Sequence, residues 1–295
     1  MTDQGKGVLL AFTGILVLSP DSLLVRLLDA PQWDLQLWRG LGQTVGMGAG
    51  MAALYGSGLL GAMRAMGRWG LVMALAQAAA SILFVAAIYL TTVANVLALI
   101  SSAPLFSALL SRFALGERLP RRTWWACALG MAAIAVIVGG DAGGEGSHLA
   151  GDLLALAQAL CLACAFTLVR KRAAVNMLPC FILSGLLIAG FSLAQGGWVA
   201  APPDKLPLFL LLCLGVLPAA YTLLFLAPRY IPSPEVNLIM LLEMVLGPLL
   251  VWWAVDESVP PATLAGGSVL FAVLAVHSWL GLRQARAARR LAGPD

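Results

Sequence analysis

Glu243 sits inside an apolar run from Leu238 to Ala254, where an ionisable side chain costs on the order of 3 kcal/mol to insert into hydrocarbon. A carboxyl group there has two chemical uses. It can exchange a proton or take an amine, or it can act as interhelical glue, protonated and hydrogen-bonded to Gln77 or Gln158. Asp21 is a second such group. It follows Pro20, which removes a helix hydrogen bond and frees backbone carbonyls around residue 16. Arg39 lies at a similar depth in the next apolar run, about 10 Å from its end at 1.5 Å per residue. An Asp21–Arg39 pair is therefore expected, as a structural lock or as a gate. Trp38, beside Arg39, could stack on a flat or cationic ligand or simply pack. Ser81 and Tyr221 can offer hydroxyls at mid-depth, with Ser101, Ser107, Asn95 and Asn237 as weaker polar positions. Glu117 and Glu257, each with a proline three residues on, read as N-terminal caps of the helices that follow them.

The elements that must position these groups are membrane helices. The 295 residues are 61% hydrophobic and 11% charged, too little polar surface to cover a soluble protein of this size. Apolar stretches long enough to cross roughly 30 Å of hydrocarbon fall at residues 7–28, 35–57, 70–90, 93–112, 123–140, 152–169, 177–198, 207–227, 235–254 and 262–282. Alternating strands of the outer-membrane barrel type do not occur. The expected fold is an all-α integral membrane protein with ten transmembrane helices.

These stretches form two copies of one pattern. Sliding residues 7–26 onto 151–170 matches nine of twenty positions, among them Gly7/Gly151, Leu9/Leu153, Ala11/Ala155 and Arg26/Arg170. At an offset of 140, Leu109/Leu249, Ala114/Ala254, Glu117/Glu257, Pro120/Pro260 and Thr123/Thr263 also match, and Ser81 becomes the mate of Tyr221. Five helices in each copy make the copies point opposite ways, so two inverted five-helix repeats are expected, residues 1–141 and 142–295. The join is the glycine-rich, acidic stretch Asp141 to Gly151. Thr91 and Thr92 alone separate two spans, which makes that pair a hairpin.

Charge orients the bundle. With the N-terminus in the cytoplasm, fifteen of the eighteen basic residues fall in inside segments, and only Arg26, Arg39 and Lys205 fall elsewhere. The positive-inside rule then places both termini in the cytoplasm. It makes anionic lipid headgroups, rather than nucleic acid, the partner of the basic surface. The first stretch is expected to remain as an uncleaved anchor. The five cysteines all fall inside predicted spans, and Cys161-x-x-Cys164 lacks a second pair to complete a metal site. No cofactor motif is present, and the absence of a G-x-x-x-x-G-K loop excludes an ATP-driven pump on this chain alone. Gly42, Gly46 and Gly50, with Gly40 and Gly48, give one helix a small-residue face for packing within the bundle or for a homodimer seam.

The stretch from Ala103-Pro104-Leu105 to Gly116-Glu117-Arg118-Leu119-Pro120, repeated from Leu242-Glu243-Met244-Val245 to Asp256-Glu257-Ser258-Val259-Pro260, resembles the EamA-type permeases of the drug/metabolite transporter superfamily. Arg39 stands where such permeases often carry arginine. The resemblance covers about residues 7–282 and departs at Met244, where the second repeat commonly has proline. It implies a central cavity between two five-helix repeats and transport of small metabolites, amino acids or amphiphilic cations. Inverted repeats and deep carboxyls point the same way, to secondary-active alternating access across the inner membrane, with export the expected direction and protons a candidate coupling ion. The expected site comprises Glu243, Asp21, Arg39, Trp38, Ser81, Tyr221, Gln77 and Gln158. The alternative is an intramembrane enzyme built on Gly190-Phe191-Ser192 and His277, for which no acylation partner is placed by spacing.

Overall fold

The structure is a computed structural model that describes residues 3–115, 121–141, 148–171, 175–198, 201–227, 230–231, 236 and 239–291. Glu117, Pro120, Asn237 and the connection at 142–147 lie outside the described residues, as does the 228–234 connection apart from Tyr230 and Ile231. Among the described residues there is no strand. The helices are α1 (Asp3–Leu18), α2 (Asp21–Leu28), α3 (Gln32–Tyr55), α4 (Leu59–Leu90), α5 (Val93–Ile100), α6 (Ala103–Leu115) and α7 (Arg121–Asp141). They continue as α8 (Leu149–Lys171), α9 (Cys180–Ala194), α10 (Leu206–Leu210), α11 (Leu217–Leu226), α12 (Glu243–Val255) and α13 (Pro261–Leu291).

Six helical stretches among the described residues are long and apolar enough to cross a membrane: Gln4–Leu28, Gly56–Leu90, Val93–Phe113, Arg121–Gly140, Leu206–Leu226 and Pro261–Arg283. The flanks expose Phe113 at 80% and Trp253 at 79%, apolar side chains that an aqueous surface would not leave bare in such number. The chain is an all-α membrane protein. Helix α3 is absent from the six because it carries Gln36, Arg39 and Gln43, all buried against other helices. Helix α4 begins at Leu59, well before the expected residue 70. Arg64 and Arg68 interrupt the hydropathy there, and the backbone bends at Gly67, whose φ of 54° suits glycine alone.

Three pairs of helices are halves of broken ones. Between α1 and α2, Pro20 stops the first helix, and the Ser19 hydroxyl donates to the Ile15 carbonyl at 2.8 Å, so one of the expected free carbonyls is satisfied locally. Between α5 and α6 the break falls at Ser101–Ser102, with Pro104 in the first turn of the second piece, where a missing N–H costs nothing. Before α12 the chain turns at Leu241–Leu242. The bonding at these last two breaks is the same 140 residues apart: Ser102 N–H to Leu99 O (3.1 Å) and Leu105 N–H to Ser102 O (2.9 Å), then Leu242 N–H to Ile239 O (3.0 Å) and Val245 N–H to Leu242 O (3.1 Å).

Packing is set by small residues and long-range contacts. Helix α4 packs on α8 and α9, α1 on α11, α7 on α13, and α12 on α5 and α2. Helix α3 packs on α9, on α11 and on a π-helical stretch Leu211–Val216. The glycine face of α3 splits between two neighbours. A methyl at Gly40 would lie 2.6 Å from the Ala189 nitrogen and 2.7 Å from the Gly185 oxygen, and one at Gly42 would lie 2.4 Å from the Cys213 Cβ. Gly48 and Gly50 have nothing within 4 Å. Gly40→Ala should therefore force α3 and α9 apart and lower stability by about 1–3 kcal/mol. Gly50→Ala should be neutral or stabilising by up to ~1 kcal/mol through helix propensity. Thermal unfolding of the two variants in detergent checks this, and equal midpoints would mean that the crossing is not backbone-tight.

Candidate functional site

Asp21 is the first residue of α2, placed by the proline break, and Arg39 lies on the buried face of α3. They meet as expected: Arg39 Nη1 donates to Asp21 Oδ1 at 2.5 Å and Nη2 to Oδ2 at 3.0 Å. Both are nearly sealed from solvent, at 4% and 1% exposure. The guanidinium lies 5.5 Å from the centre of the Phe84 ring, faces the Tyr221 hydroxyl, and leaves its Nε without a partner. One turn from Arg39, Gln36 donates to the carbonyls of Ser81 (3.0 Å) and Ile82 (3.2 Å), tying α3 to α4. Ser81 thus joins this wall through its backbone.

Glu243 opens α12 immediately after the break at Leu241–Leu242. Protein surrounds it, yet it and Tyr221 keep accessible surface, so both line open space inside the bundle. Its electrostatic neighbours are Asp21 and Tyr221. Neither Gln77 nor Gln158 bonds to it, and both leave their side-chain oxygens unpartnered. The glue reading with these glutamines therefore fails. The reason lies in the packing, since Gln77 and Gln158 belong to the α4–α8 contact whereas α12 lies on α2 and α5. Trp38 packs on Phe209, ring centres 5.3 Å apart, and its buried indole N–H has no acceptor.

An aromatic group missed by the sequence reading completes the wall. Phe181 stacks on Tyr221 at 5.1 Å and meets Phe225 edge-on at 4.7 Å. Gln43 fixes the turn that presents Phe181, donating to the Phe181 carbonyl at 2.9 Å and to the Ser184 hydroxyl at 2.7 Å. The interior thus holds two carboxylates, one guanidinium, a phenol and several aromatic faces, a set suited to ligand binding and charge compensation.

A second polar cluster closes the end of the bundle that carries Thr91. Asp152, fully buried and also missed, accepts from the hydroxyl of Thr91 (3.0 Å) and the amide of Asn95 (3.1 Å), and Asn95 Oδ1 accepts from Thr263. Glu257 does not cap the helix after it. It accepts from the backbone N–H of Val93 at 2.6 Å, capping α5, and pairs with Arg26 at 2.9 Å. The exposed start of α5 offers free N–H groups that a carboxylate reaching across the bundle can satisfy. Asp152→Ala would leave Thr91 and Asn95 without their shared acceptor, a loss of about 2–3 kcal/mol, while Asp152→Asn keeps an acceptor and should lose less. Thermal midpoints in the order wild type, Asn, Ala are expected; an unchanged Ala variant would remove Asp152 from the closure.

Of the enzyme alternative, Ser192 donates its hydroxyl to the Ile188 carbonyl of its own helix at 2.8 Å. No family model matches the chain, and no curated protein matches it. A solved crystal structure of a protein superposes with a TM-score of 0.65, covering 95% of this chain and 99% of the other at 22% identity. Likeness at that identity shows a shared fold alone.

Proposed function

We propose that this chain is a secondary-active transporter that moves a small organic solute by alternating access, built from ten membrane helices in two inverted repeats of five. The observation that carries the reading is the matched pair of helix breaks at Ser101–Ser102 and Leu241–Leu242, one of which delivers Glu243 beside the buried Asp21–Arg39 pair. Broken helices meeting at an interior charged site are the architecture in which transporters bind substrate. The packing supports the same symmetry. The contact of α4 with α8 is answered by that of α11 with α1, while α3–α9, α7–α13 and α5–α12 pair equivalent helices with each other. In this reading the chain is an EamA-type permease of the inner membrane, both termini cytoplasmic, and its substrate is a metabolite, an amino acid or an amphiphilic cation leaving the cell.

The mechanism follows from the closures. Arg26, Glu257, Thr91, Asn95, Asp152 and Thr263 hold one end shut. At the other end Met47, Met51, Met66 and Met73 pack with Phe181, an apolar closure that can part without stranding a charge. Rocking one repeat against the other would open each in turn around Glu243. Two measurements test this. Cysteine labelling should report cytoplasm at Arg64, Arg122 and Lys171 and the outside at Gly146 and Lys205; a cytoplasmic Gly146 would destroy the inverted arrangement. Purified protein in liposomes should show saturable counterflow of an amine or amino acid, and flux linear in concentration would point to a pore instead.

A further inference from the structure

Three charged side chains gather in the interior site among the described residues: Asp21, Arg39 and Glu243. Asp21 and Arg39 answer each other through two hydrogen bonds. Glu243 has no ion pair and no hydrogen bond among the described residues, although it faces open space within the bundle. The start of α12 adds only about half a positive charge, so the site as a whole remains negative by a fraction of one charge up to one. Beside Glu243 stands Tyr221, and behind Tyr221 lie Phe181 and Phe225, the three rings in mutual contact. Aromatic faces attract a cation through their quadrupole, most strongly where water is excluded. A neutral ligand would leave the carboxylate unanswered in a poorly solvated space, and an anion would meet repulsion from both acids.

We propose that this site binds an organic cation of single charge with an aromatic or branched apolar body, its nitrogen set against Glu243 and its body against Tyr221, Phe181 and Phe225. The proposal deepens the transporter reading, on which it rests for what happens to the cation after binding.

Three probes of nearly one shape separate the possibilities: benzyltrimethylammonium, its uncharged isostere neopentylbenzene, and the anion benzylsulfonate. Calorimetric titration of the full chain in dodecyl maltoside should give saturable binding of the ammonium alone, after partition into empty micelles is subtracted. Glu243→Gln should weaken that binding by at least ~tenfold, equivalent to ~1.4 kcal/mol, while Glu243→Asp retains a part of it. Should Glu243→Gln fail to give a monodisperse folded protein, Phe225→Leu, which keeps apolar volume but removes a π face, should still weaken the ammonium selectively. Equal binding of the neutral isostere, full affinity in folded Glu243→Gln, or no binding of any probe to folded protein would each overturn the proposal. The two readings part in liposomes. Selective ammonium binding without saturable flux sinks the transporter and leaves the site, whereas saturable flux of an amino acid from a protein that ignores the ammonium sinks the site and leaves the transporter.

Discussion

Arg39→Gln should destabilise the protein by about 3–5 kcal/mol, the cost of leaving one member of a buried ion pair without its partner. The geometry requires an effect of this size. Asp21 and Arg39 are almost fully enclosed and share two direct hydrogen bonds, and Asp21 has no other hydrogen-bonded base among the described residues. Asp21→Asn should be damaging for the converse reason, since it strands a guanidinium whose Nε is already without an acceptor. The double variant Asp21→Asn/Arg39→Gln removes both charges and should be no worse than either single change, because contacting residues do not add. Unfolding midpoints in detergent for the four proteins measure the coupling directly. Additive losses would mean that the two groups act separately. The same set decides between lock and gate: with a lock, transport by the double variant scales with the folded fraction, and with a gate the folded double variant loses coupling.

The broad fold was open to hydropathy because helices that cross a bilayer must be long and apolar, as Pro261–Arg283 and Gly56–Leu90 are. The Asp21–Arg39 pair was legible for a related reason: two charges at like depth in adjacent helices have few places to go. Partners drawn from distant sequence were not. Glu257 looked like a local cap, yet its donor is Val93 and its cation Arg26, and nothing in the residues around it names them. Asp152 read as the edge of a span because its donors, Thr91 and Asn95, lie about sixty residues away. Glu243 was assigned to two glutamines that share its depth but lie on another helix contact. The turn before Glu243 forms without the proline that marks its counterpart near Ser102, so no composition rule announces it. Depth is a one-dimensional property and could be read from the chain, whereas the azimuth of each side chain depends on which helices touch.

A covalent link between cysteines placed at Arg26 and Glu257 should bring transport down to the level of protein-free liposomes, and reduction should restore it. These two side chains meet end to end at 2.9 Å and join the hairpin of α4 and α5 to the connection between α12 and α13. Alternating access requires that such a closure break once in each cycle. The link is made with a short bis-methanethiosulfonate in a background whose five native cysteines are alanine, and each single-cysteine protein carrying the same reagent serves as control. Loss of the ion pair alone should matter little, because Arg26 and Glu257 are each partly exposed and such pairs contribute about 0–1 kcal/mol. The single variants should therefore retain most of their flux, which isolates the covalent tether as the cause. A thiol probe at Ser81 of the linked protein should still react from the opposite side, since the methionine closure at that end is untouched. Undiminished flux with the link fully formed would show that this end never opens, and the solute would then need a route that bypasses Asp152, Asn95 and Thr263 altogether.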